Sequence, residues 1–320
     1  MPDIEHPAEH QPRIVLPGGA GLVGQNLALR LHAAGYENLV VLDKHAANVA
    51  VMRRLLPDVE IRETDLAEAG DWQDTFAGAD AVVMLQAQIG ALDAEPFRRN
   101  NLTSTRYVLD AMQRHQVPYL VHISSSVVES VANDYYTETK TQQEELVRQS
   151  GIAHVTLRPT LMFGWFDRKH LGWLARFMNR VPVFPIPGWG RYPRQPLFVG
   201  DFCAIIERCL ADQRTRGSFN ISGLEYIDYV DMIRAIRRVT GSKTPLLNIP
   251  LSFFRTLLRM WALFDRNPPF TADQLDALVA EDEFEIIDWP SIFGVIPTPF
   301  EKALRITFEH PQYSAVKLDF

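Results

Sequence analysis

The amino-acid sequence predicts an α/β fold, a doubly wound parallel sheet followed by a smaller C-terminal lobe. Three observations predict it. Short apolar runs alternate with helical patterns in the first half, and a glycine-rich turn at residues 18–24 directly follows the first run. Four prolines lie between residues 18 and 180, but thirteen lie between 181 and 320. We therefore divide the chain into a flexible leader (1–12), a sheet domain (13–180) and a C-terminal lobe (181–320) with elements that return to the sheet.

The predicted strands are short and mostly apolar, which is typical of a parallel sheet covered on both faces. They are Arg13–Leu16, Leu39–Leu42, Val59–Glu63, Ala81–Leu85, Tyr119–Ile123 and His154–Leu157. Helical patterns lie between them, among them Val23–Ala34, Arg99–His115 and Thr137–Ser150. Right-handed crossovers then give a doubly wound sheet, with any ligand at the carboxyl ends of the strands.

Composition argues against several classes of function. The chain has 320 residues and a net charge of −7, without the basic excess that is usual in nucleic-acid-binding proteins. No apolar run is long enough for a membrane-spanning helix, and the polar N-terminus has no signal core. Cys203 and Cys209 form neither a disulfide framework nor a zinc pattern. We therefore expect a cytoplasmic protein without a metal site and without a nucleic-acid partner.

The glycine-rich turn fits two registers, Gly18-x-x-Gly21-x-x-Gly24 and Gly19-x-Gly21-x-x-Gly24. Glycine allows the tight turn and lets backbone N–H groups approach a pyrophosphate at the start of a helix. A strand precedes this turn and a helical pattern follows it, which is the context of a dinucleotide-binding site. The sequence therefore predicts a dinucleotide cofactor.

An acidic residue at the end of the second strand indicates which dinucleotide is bound. Asp43 lies 19 residues after Gly24, where a carboxylate accepts a hydrogen bond from a ribose 2′-hydroxyl and repels a 2′-phosphate. We therefore expect NAD rather than NADP. NADP remains an alternative, because the side chain of Lys44 or His45 could turn toward a 2′-phosphate.

A serine, tyrosine and lysine constellation follows the fifth strand. Tyr136 comes eleven residues after Ser125, and Lys140 lies four residues further, on the same face of a helix. A nearby ammonium and a positively charged nicotinamide are expected to lower the pKa of Tyr136 from about 10. The phenol then exchanges a proton with a substrate oxygen that a serine hydroxyl holds.

These motifs together resemble the extended, epimerase/dehydratase-like branch of the short-chain dehydrogenase/reductase family over roughly residues 13–240. The other matching stretches are Asp65-Leu66, Asn101-Leu-Thr-Ser-Thr105, His122-Ile-Ser-Ser and Leu157-Arg158-Pro159-x-x-x-Phe163-Gly164. The resemblance implies an NAD(P)-binding Rossmann domain in which Tyr136 is the acid/base, Lys140 orients the nicotinamide ribose and Ser125 binds the substrate oxygen. Ser124 is the first alternative to Ser125. The predicted cofactor contacts are Gly18, Gly21, Leu22, Val23, Gly24, Asp43, Lys44, Asp65, Leu66, Gln86, Ala87, Ser124, Tyr136, Lys140 and Pro159.

The same resemblance implies that the C-terminal lobe binds a small-molecule substrate, with a nucleotide sugar as the expected class. An arginine near Arg194 clamps a diphosphate in sugar-nucleotide enzymes, as a bidentate guanidinium suits. Arg191 and Ser126 are the other predicted substrate contacts. The two arginines are equally consistent with solvated loop charges.

Residues 251–264 form an amphipathic pattern with a narrow polar stripe. We expect this helix to be covered by the protein core, with peripheral membrane contact as the alternative. The stretches Thr271–Leu275 and Ile296–Glu301 are similar to the Rossmann-type accessory subunit family of respiratory complex I.

The combined prediction is an NAD-dependent oxidoreductase or epimerase that acts on a secondary alcohol or ketone by hydride transfer. Two alternatives come from the C-terminal features: a non-catalytic NAD(P)-binding accessory subunit of a membrane respiratory complex, and a reductase of a lipid- or polyprenyl-linked substrate. The sequence is also compatible with a homodimer.

Overall fold

A seven-stranded parallel sheet organises the computed structural model, which describes residues 11–91, 93–129, 134–264, 275 and 285–318. The strands are β1 (Ile14–Pro17), β2 (Leu39–Asp43), β3 (Glu60–Glu63), β4 (Ala81–Met84), β5 (Tyr119–Ile123), β6 (Ala153–Pro159), β7 (Met162–Phe163), β8 (Phe184–Pro187), β9 (Pro193–Arg194), β10 (Leu197–Phe198), β11 (Gly217–Ile221), β12 (Ile227–Asp228) and β13 (Leu246–Ile249). The main sheet has the order β11-β6-β5-β4-β1-β2-β3, and all its neighbours are parallel. The predicted α/β class and doubly wound parallel sheet are confirmed.

Helices cover both faces of this sheet. The helices of the described residues, those on the sheet together with those of the C-terminal lobe, are α1 (Leu22–Ala33), α2 (Ala46–Leu55), α3 (Ala94–Phe97), α4 (Ser104–Arg114), α5 (Tyr135–Gln149), α6 (Leu171–Met178), α7 (Val199–Asp212), α8 (Tyr229–Val239), α9 (Leu251–Phe264), α10 (Trp289–Phe293) and α11 (Phe300–Glu309). The described residues also include the 3₁₀ helices Asp71–Phe76 and Ser126–Glu129 and the π-helical segment Arg98–Thr103.

Alternation along the strands builds two apolar cores, one on each face. On β1, Ile14 and Leu16 belong to the core that contains α1 and α7, whereas Val15 belongs to the core that contains α4 and part of α5. Successive strand side chains point to opposite faces, so a strand with apolar residues on both faces must be covered twice. This explains why the strands read as nearly continuous apolar runs.

The C-terminal lobe has a third core of its own. Helices α6, α8 and α11 supply most of its buried side chains, and β8 adds Phe184 and Ile186. Strand β13 pairs in parallel with β8, and the short strands β9 and β12 pair antiparallel. Strand β11, which the sequence reading did not identify, carries the chain of this half back to the edge of the main sheet.

Helix α9 corrects the expectation that its apolar face is covered by the core. Phe253, Leu257 and Met260 are 57%, 42% and 53% exposed, and their spacing places them on one stripe. Leu258, on another side of the helix, is buried. In the sequence, apolar residues occupy most of the helix circumference, so burial at Leu258 leaves the stripe of Phe253, Leu257 and Met260 exposed. In the described ranges, every helix is too short or too polar to cross a membrane.

Candidate active site

The glycine turn is tightly packed on one side and open on the other. Gly18 has φ +73°, and a Cβ there would lie 2.4 Å from the backbone nitrogen of Gln86. A Cβ at Gly24 would lie 2.2 Å from the carbonyl oxygen of Gly19. A Cβ at Gly21 would meet nothing closer than 3.8 Å. The turn therefore packs through Gly18 against the segment that follows β4, and through Gly24 against Gly19 of the turn itself, and it leaves space above Gly21.

Helix α1 presents its N-terminus to this space. Gly21 precedes the helix, no side chain caps the first turn, and that turn carries no acidic residue. Leu22 and Val23 begin the helix and are only partly exposed. Free N–H groups and the positive end of the helix dipole favour an anion such as a pyrophosphate here.

Asp43 is fixed beside the glycine turn at the end of β2. Its Oδ2 accepts a 3.0 Å hydrogen bond from the Ala20 N–H, and its Oδ1 accepts one of 3.0 Å from the His45 N–H. Each carboxylate oxygen can accept a further hydrogen bond. The carboxylate is therefore held in place by backbone groups while it keeps acceptor capacity for a ribose hydroxyl.

Lys44 is engaged with a neighbouring acidic residue. Its Nζ donates to Asn100 Oδ1 at 2.6 Å and lies 3.6 Å from an Asp65 carboxylate oxygen, which also receives Arg99 at 2.9 Å. Partial burial alone raises the pKa of Asp65, but the Ala67 N–H and the two cations outweigh it and lower that pKa. Lys44 would have to leave these partners to meet a 2′-phosphate.

Gln86 has an unpaired polar side chain beside the glycine turn. It follows β4 beside Gly18, and both polar atoms of its carboxamide are buried without a hydrogen-bond partner among the described residues. Buried polar groups normally find a partner, so an unpaired carboxamide beside a glycine turn fits a bound dinucleotide. Ala87 is exposed next to it, and Leu66 is buried behind Asp65.

The structure brings one of the three consecutive serines to the tyrosine. Asp134 caps the N-terminus of α5, which places Tyr136 in the first turn. The Ser125 hydroxyl hydrogen-bonds the Tyr136 phenol. The Ser124 hydroxyl instead donates to Glu144 Oε1 at 2.5 Å. Of these two hydroxyls, it is therefore Ser125 that faces the tyrosine.

Lys140 is fully buried below the serines. Its Nζ donates to the Ile123 carbonyl at 2.9 Å and to the Gln143 carboxamide oxygen. Burial lowers the pKa of Lys140 to about 7, although the nearby Glu144 carboxylate opposes this effect. An ammonium without close charge compensation is costly in a buried site, which is why the neutral form gains.

The pKa of Tyr136 changes in the opposite direction to the one expected from the sequence. Burial raises it, the Ser125 hydrogen bond partly lowers it, and Asp134 raises it further. The expected lowering counted the charge of nicotinamide as well as that of Lys140, and it stays a prediction for the complex with NAD. The Lys140 amine itself is directed at a carbonyl and a carboxamide rather than at the phenol.

Two further predicted residues lie at the carboxyl edge of the sheet. Ser126 is buried at the start of the 3₁₀ helix Ser126–Glu129, and Pro159 is the buried last residue of β6. In the described ranges, no group of three His, Cys, Asp or Glu side chains is placed to hold a metal ion.

The two arginines of the C-terminal lobe differ in their surroundings. Arg191 is exposed and pairs with Asp228 at 2.8 Å and Asp231 at 3.1 Å, so its charge is already compensated. Arg194 lies on β9 with its guanidinium 5.7 Å from the centre of the Tyr192 ring. Arg191 would therefore have to leave two carboxylate partners in order to bind an anion.

The sequence reading missed Glu144 and Arg158 as parts of this site. Glu144 lies one helical turn after Lys140, so the spacing Tyr136, Lys140, Glu144 could have identified it. Arg158 was noticed only as part of a motif. Its Nε and Nη2 donate to the two carboxylate oxygens of Glu144 at 2.9 and 2.6 Å.

Comparison with known proteins gives a family match and whole-chain relatives. The model of the NAD dependent epimerase/dehydratase family matches residues 14–222. The dTDP-glucose 4,6-dehydratase of Mycobacterium tuberculosis (strain H37Rv) is 36% identical over 327 residues, covering 93% of this chain and 92% of that protein.

Solved structures show the same fold. The Bordetella bronchiseptica enzyme WbmF in complex with NADH superimposes with a TM-score of 0.74 at 19% identity, covering 93% of this chain and 91% of the other. The UDP-glucose 4-epimerase of Thermotoga maritima with UDP-glucose has a TM-score of 0.72 at 16% identity, covering 93% and 97%. The resemblance to the respiratory accessory subunit receives no support from these comparisons. Of its first stretch, residues 271–274 lie outside the described residues.

Proposed function

Because the chain belongs to the NAD-dependent epimerase/dehydratase family, we propose that it oxidises or reduces a secondary alcohol or ketone of a nucleotide sugar. The observation that carries this proposal is the Ser125–Tyr136 pair, which lies at the same edge of the sheet as the glycine turn. Such a pair can hold a substrate oxygen and exchange its proton. NAD, the cofactor of the family, supplies or accepts the hydride when it is bound.

The residues that would hold NAD lie along the carboxyl ends of β1, β2 and β4. The amides around Gly21 and the start of α1 would bind the pyrophosphate, and Asp43 would accept hydrogen bonds from the adenosine ribose. The unpaired Gln86 carboxamide would gain a partner. These positions leave the pair formed by Ser125, which follows β5, and Tyr136 on α5 for the substrate.

Tyr136 moves the proton at the substrate oxygen. Its raised pKa keeps the phenol protonated at neutral pH, so in ketone reduction it donates a proton while the Ser125 hydroxyl steadies the same oxygen. In alcohol oxidation the phenolate accepts the proton, and Lys140, one turn along α5, is the cation nearest in sequence to support it. Hydride transfer at the carbon that carries this oxygen needs only one acid/base group, because only one proton is exchanged.

Loss of water from a neighbouring carbon would need a further acid and base at that carbon. The carboxylates that follow the serines are engaged: Glu144 receives Ser124 and Arg158, and Glu129 receives Arg158 at 2.5 Å. This arrangement favours redox chemistry or epimerisation. Dehydration is the second candidate, and the 36% identity to a dTDP-glucose 4,6-dehydratase favours it.

The test is to incubate the purified protein with NAD and either dTDP-glucose or UDP-glucose, and to follow the sugar by proton NMR. A C4 epimer would support epimerisation, and a 4-keto-6-deoxy sugar would support dehydration. The Tyr136→Phe variant is the control for either product. If neither sugar changes and no NADH fluorescence develops with a wider panel of nucleotide sugars, the proposal is wrong.

A further inference from the structure

A carboxylate outside the Ser-Tyr-Lys set lies on the same face of α5. Glu144 follows Tyr136 by two helical turns and Lys140 by one. Its side chain is only 16% exposed, although a glutamate is rarely buried without a partner. The position of this carboxylate, under the serine turn, suggests a role connected with the serines.

Both oxygens of Glu144 are committed. Oε1 accepts the Ser124 hydroxyl at 2.5 Å and Arg158 Nε at 2.9 Å, and Oε2 accepts Arg158 Nη2 at 2.6 Å. A bidentate guanidinium fixes the rotamer of the carboxylate as well as its charge. Helix α5, the end of β5 and strand β6 are thus joined at one carboxylate.

The network continues toward the C-terminal half. Arg158 Nη1 donates to Glu129 at 2.5 Å, and the Asn220 side chain on β11 donates to the other oxygen of Glu129 at 2.7 Å. Glu129 ends the 3₁₀ helix that begins at Ser126. The segment with the three serines is therefore held at both ends by the same ionic network.

The network gives two neighbouring serines different partners. Ser124 and Ser125 are chemically identical, but the Ser124 hydroxyl donates to Glu144 and the Ser125 hydroxyl meets the Tyr136 phenol.

We infer that Glu144 is a positioning residue, which holds Ser124 and thereby keeps the Ser125 hydroxyl on the Tyr136 phenol. This inference rests on the proposed function, since it assigns the purpose of the arrangement to proton transfer at Tyr136. The bidentate pair of Arg158 with Glu144 fixes the geometry of the carboxylate, as such a role requires.

The experiment compares Glu144→Gln with Glu145→Gln. Glutamine keeps the shape and removes the charge. Glu145 is the next residue of α5, exposed and paired with Arg148, so it controls for loss of a helix carboxylate. We expect kcat to fall at least about tenfold in Glu144→Gln, with NADH affinity and the substrate KM within about twofold of the wild type. Such a split indicates an effect on the chemical step.

A double variant tests the route of the effect. If Glu144 acts through Ser124, the loss of rate in Ser124→Ala combined with Glu144→Gln should be clearly smaller than the product of the two single losses. Fully multiplicative losses would overturn the inference. So would a wild-type kcat in Glu144→Gln, or a loss of kcat that is matched by loss of NADH affinity and of thermal stability.

A readout without turnover separates this inference from the proposed function. The pKa of Tyr136 is followed by NMR of ¹³C-labelled tyrosine, with the resonance assigned by Tyr136→Phe. The Ser125 hydrogen bond lowers this pKa, so we expect a higher value in Glu144→Gln, while Asp134, the charged group that acts on the phenol, is unchanged. An unchanged pKa overturns the positioning role. A raised pKa in a protein that transforms no nucleotide sugar rejects the proposed substrate and retains the role of Glu144.

Discussion

Replacing Asp43 with asparagine tests which adenosine ribose this protein accepts. The carboxylate is 6% exposed, so water screens its charge weakly. At about 5 Å from a 2′-phosphate, in an effective dielectric of about 20, each unit of phosphate charge would cost about 3 kcal/mol, or roughly 10²-fold in affinity. The wild-type protein should therefore bind NADH at least about tenfold more tightly than NADPH.

The Asp43→Asn variant should narrow this preference because the repulsion is lost. It also leaves one of the two backbone N–H groups, of Ala20 or His45, without its acceptor, which costs about 1–3 kcal/mol. Absolute affinity for both cofactors should therefore fall, and the ratio of the two affinities is the quantity to compare. Lys44→Met is the matched control, since Lys44 is bound to Asn100 and Asp65 and should leave the wild-type ratio unchanged.

The assay is titration with each reduced cofactor, followed by nicotinamide fluorescence, with urea unfolding to report stability. Tighter binding of NADPH by the wild-type protein would refute the reasoning and would indicate that Lys44 leaves its partners for the phosphate. A NADH preference of the same size in Asp43→Asn would also refute it, because the selectivity would then not come from this charge.

Three other perturbations are predicted to have distinct signatures. Tyr136→Phe should lower single-turnover hydride transfer by about 10²- to 10⁴-fold with cofactor affinity nearly unchanged; equal turnover would exclude the acid/base role. Between pH 7 and 10 the unfolded chain binds up to one more proton at Lys140 than the folded protein does, so the contribution of Lys140 to the urea-derived unfolding free energy should rise with pH by up to about 1.4 kcal/mol per unit; the slope of the wild-type protein should exceed that of Lys140→Met by this amount, and parallel slopes would contradict the burial argument. Gly18→Ala should destabilise the fold and weaken NADH binding, because its Cβ would meet Gln86, whereas Gly78→Ala, with φ +69° and open space, should cost about 1 kcal/mol of strain and leave binding intact.

The sheet was predictable from the sequence because most of its strands are short apolar runs that can be recognised without knowledge of their neighbours. All six predicted strands occur within one or two residues, and the glycine turn after β1 marks the first crossover. Strand β11 was missed because Gly217–Ile221 contains glycine, serine and asparagine, and only its pairing with β6 makes it a strand. The exposed stripe of α9 was also beyond the sequence, since an amphipathic pattern gives a helix its apolar face but does not say how much a neighbouring lobe covers.

At the candidate site, the sequence identified the types of functional residue but not the contacts between them. Helical spacing brings Tyr136 and Lys140 to one face, but it cannot say that the Lys140 amine turns to Ile123 and Gln143. Likewise, the sequence alone does not say which of three adjacent serines holds the substrate oxygen. The inferred positioning of Ser125 depends on Glu144, which accepts a hydrogen bond from Ser124 and is itself fixed by Arg158 on strand β6.

Burial raises the pKa of Tyr136 and lowers the pKa of Lys140, and both changes favour an uncharged side chain. In the protein alone, Tyr136 therefore holds its proton at neutral pH, and the site is prepared to donate a proton to a carbonyl oxygen. Oxidation of an alcohol needs the phenolate, which a buried and partly neutral lysine supports poorly. Formation of that phenolate would be favoured by added positive charge, which the nicotinamide ring of NAD would supply when it is bound.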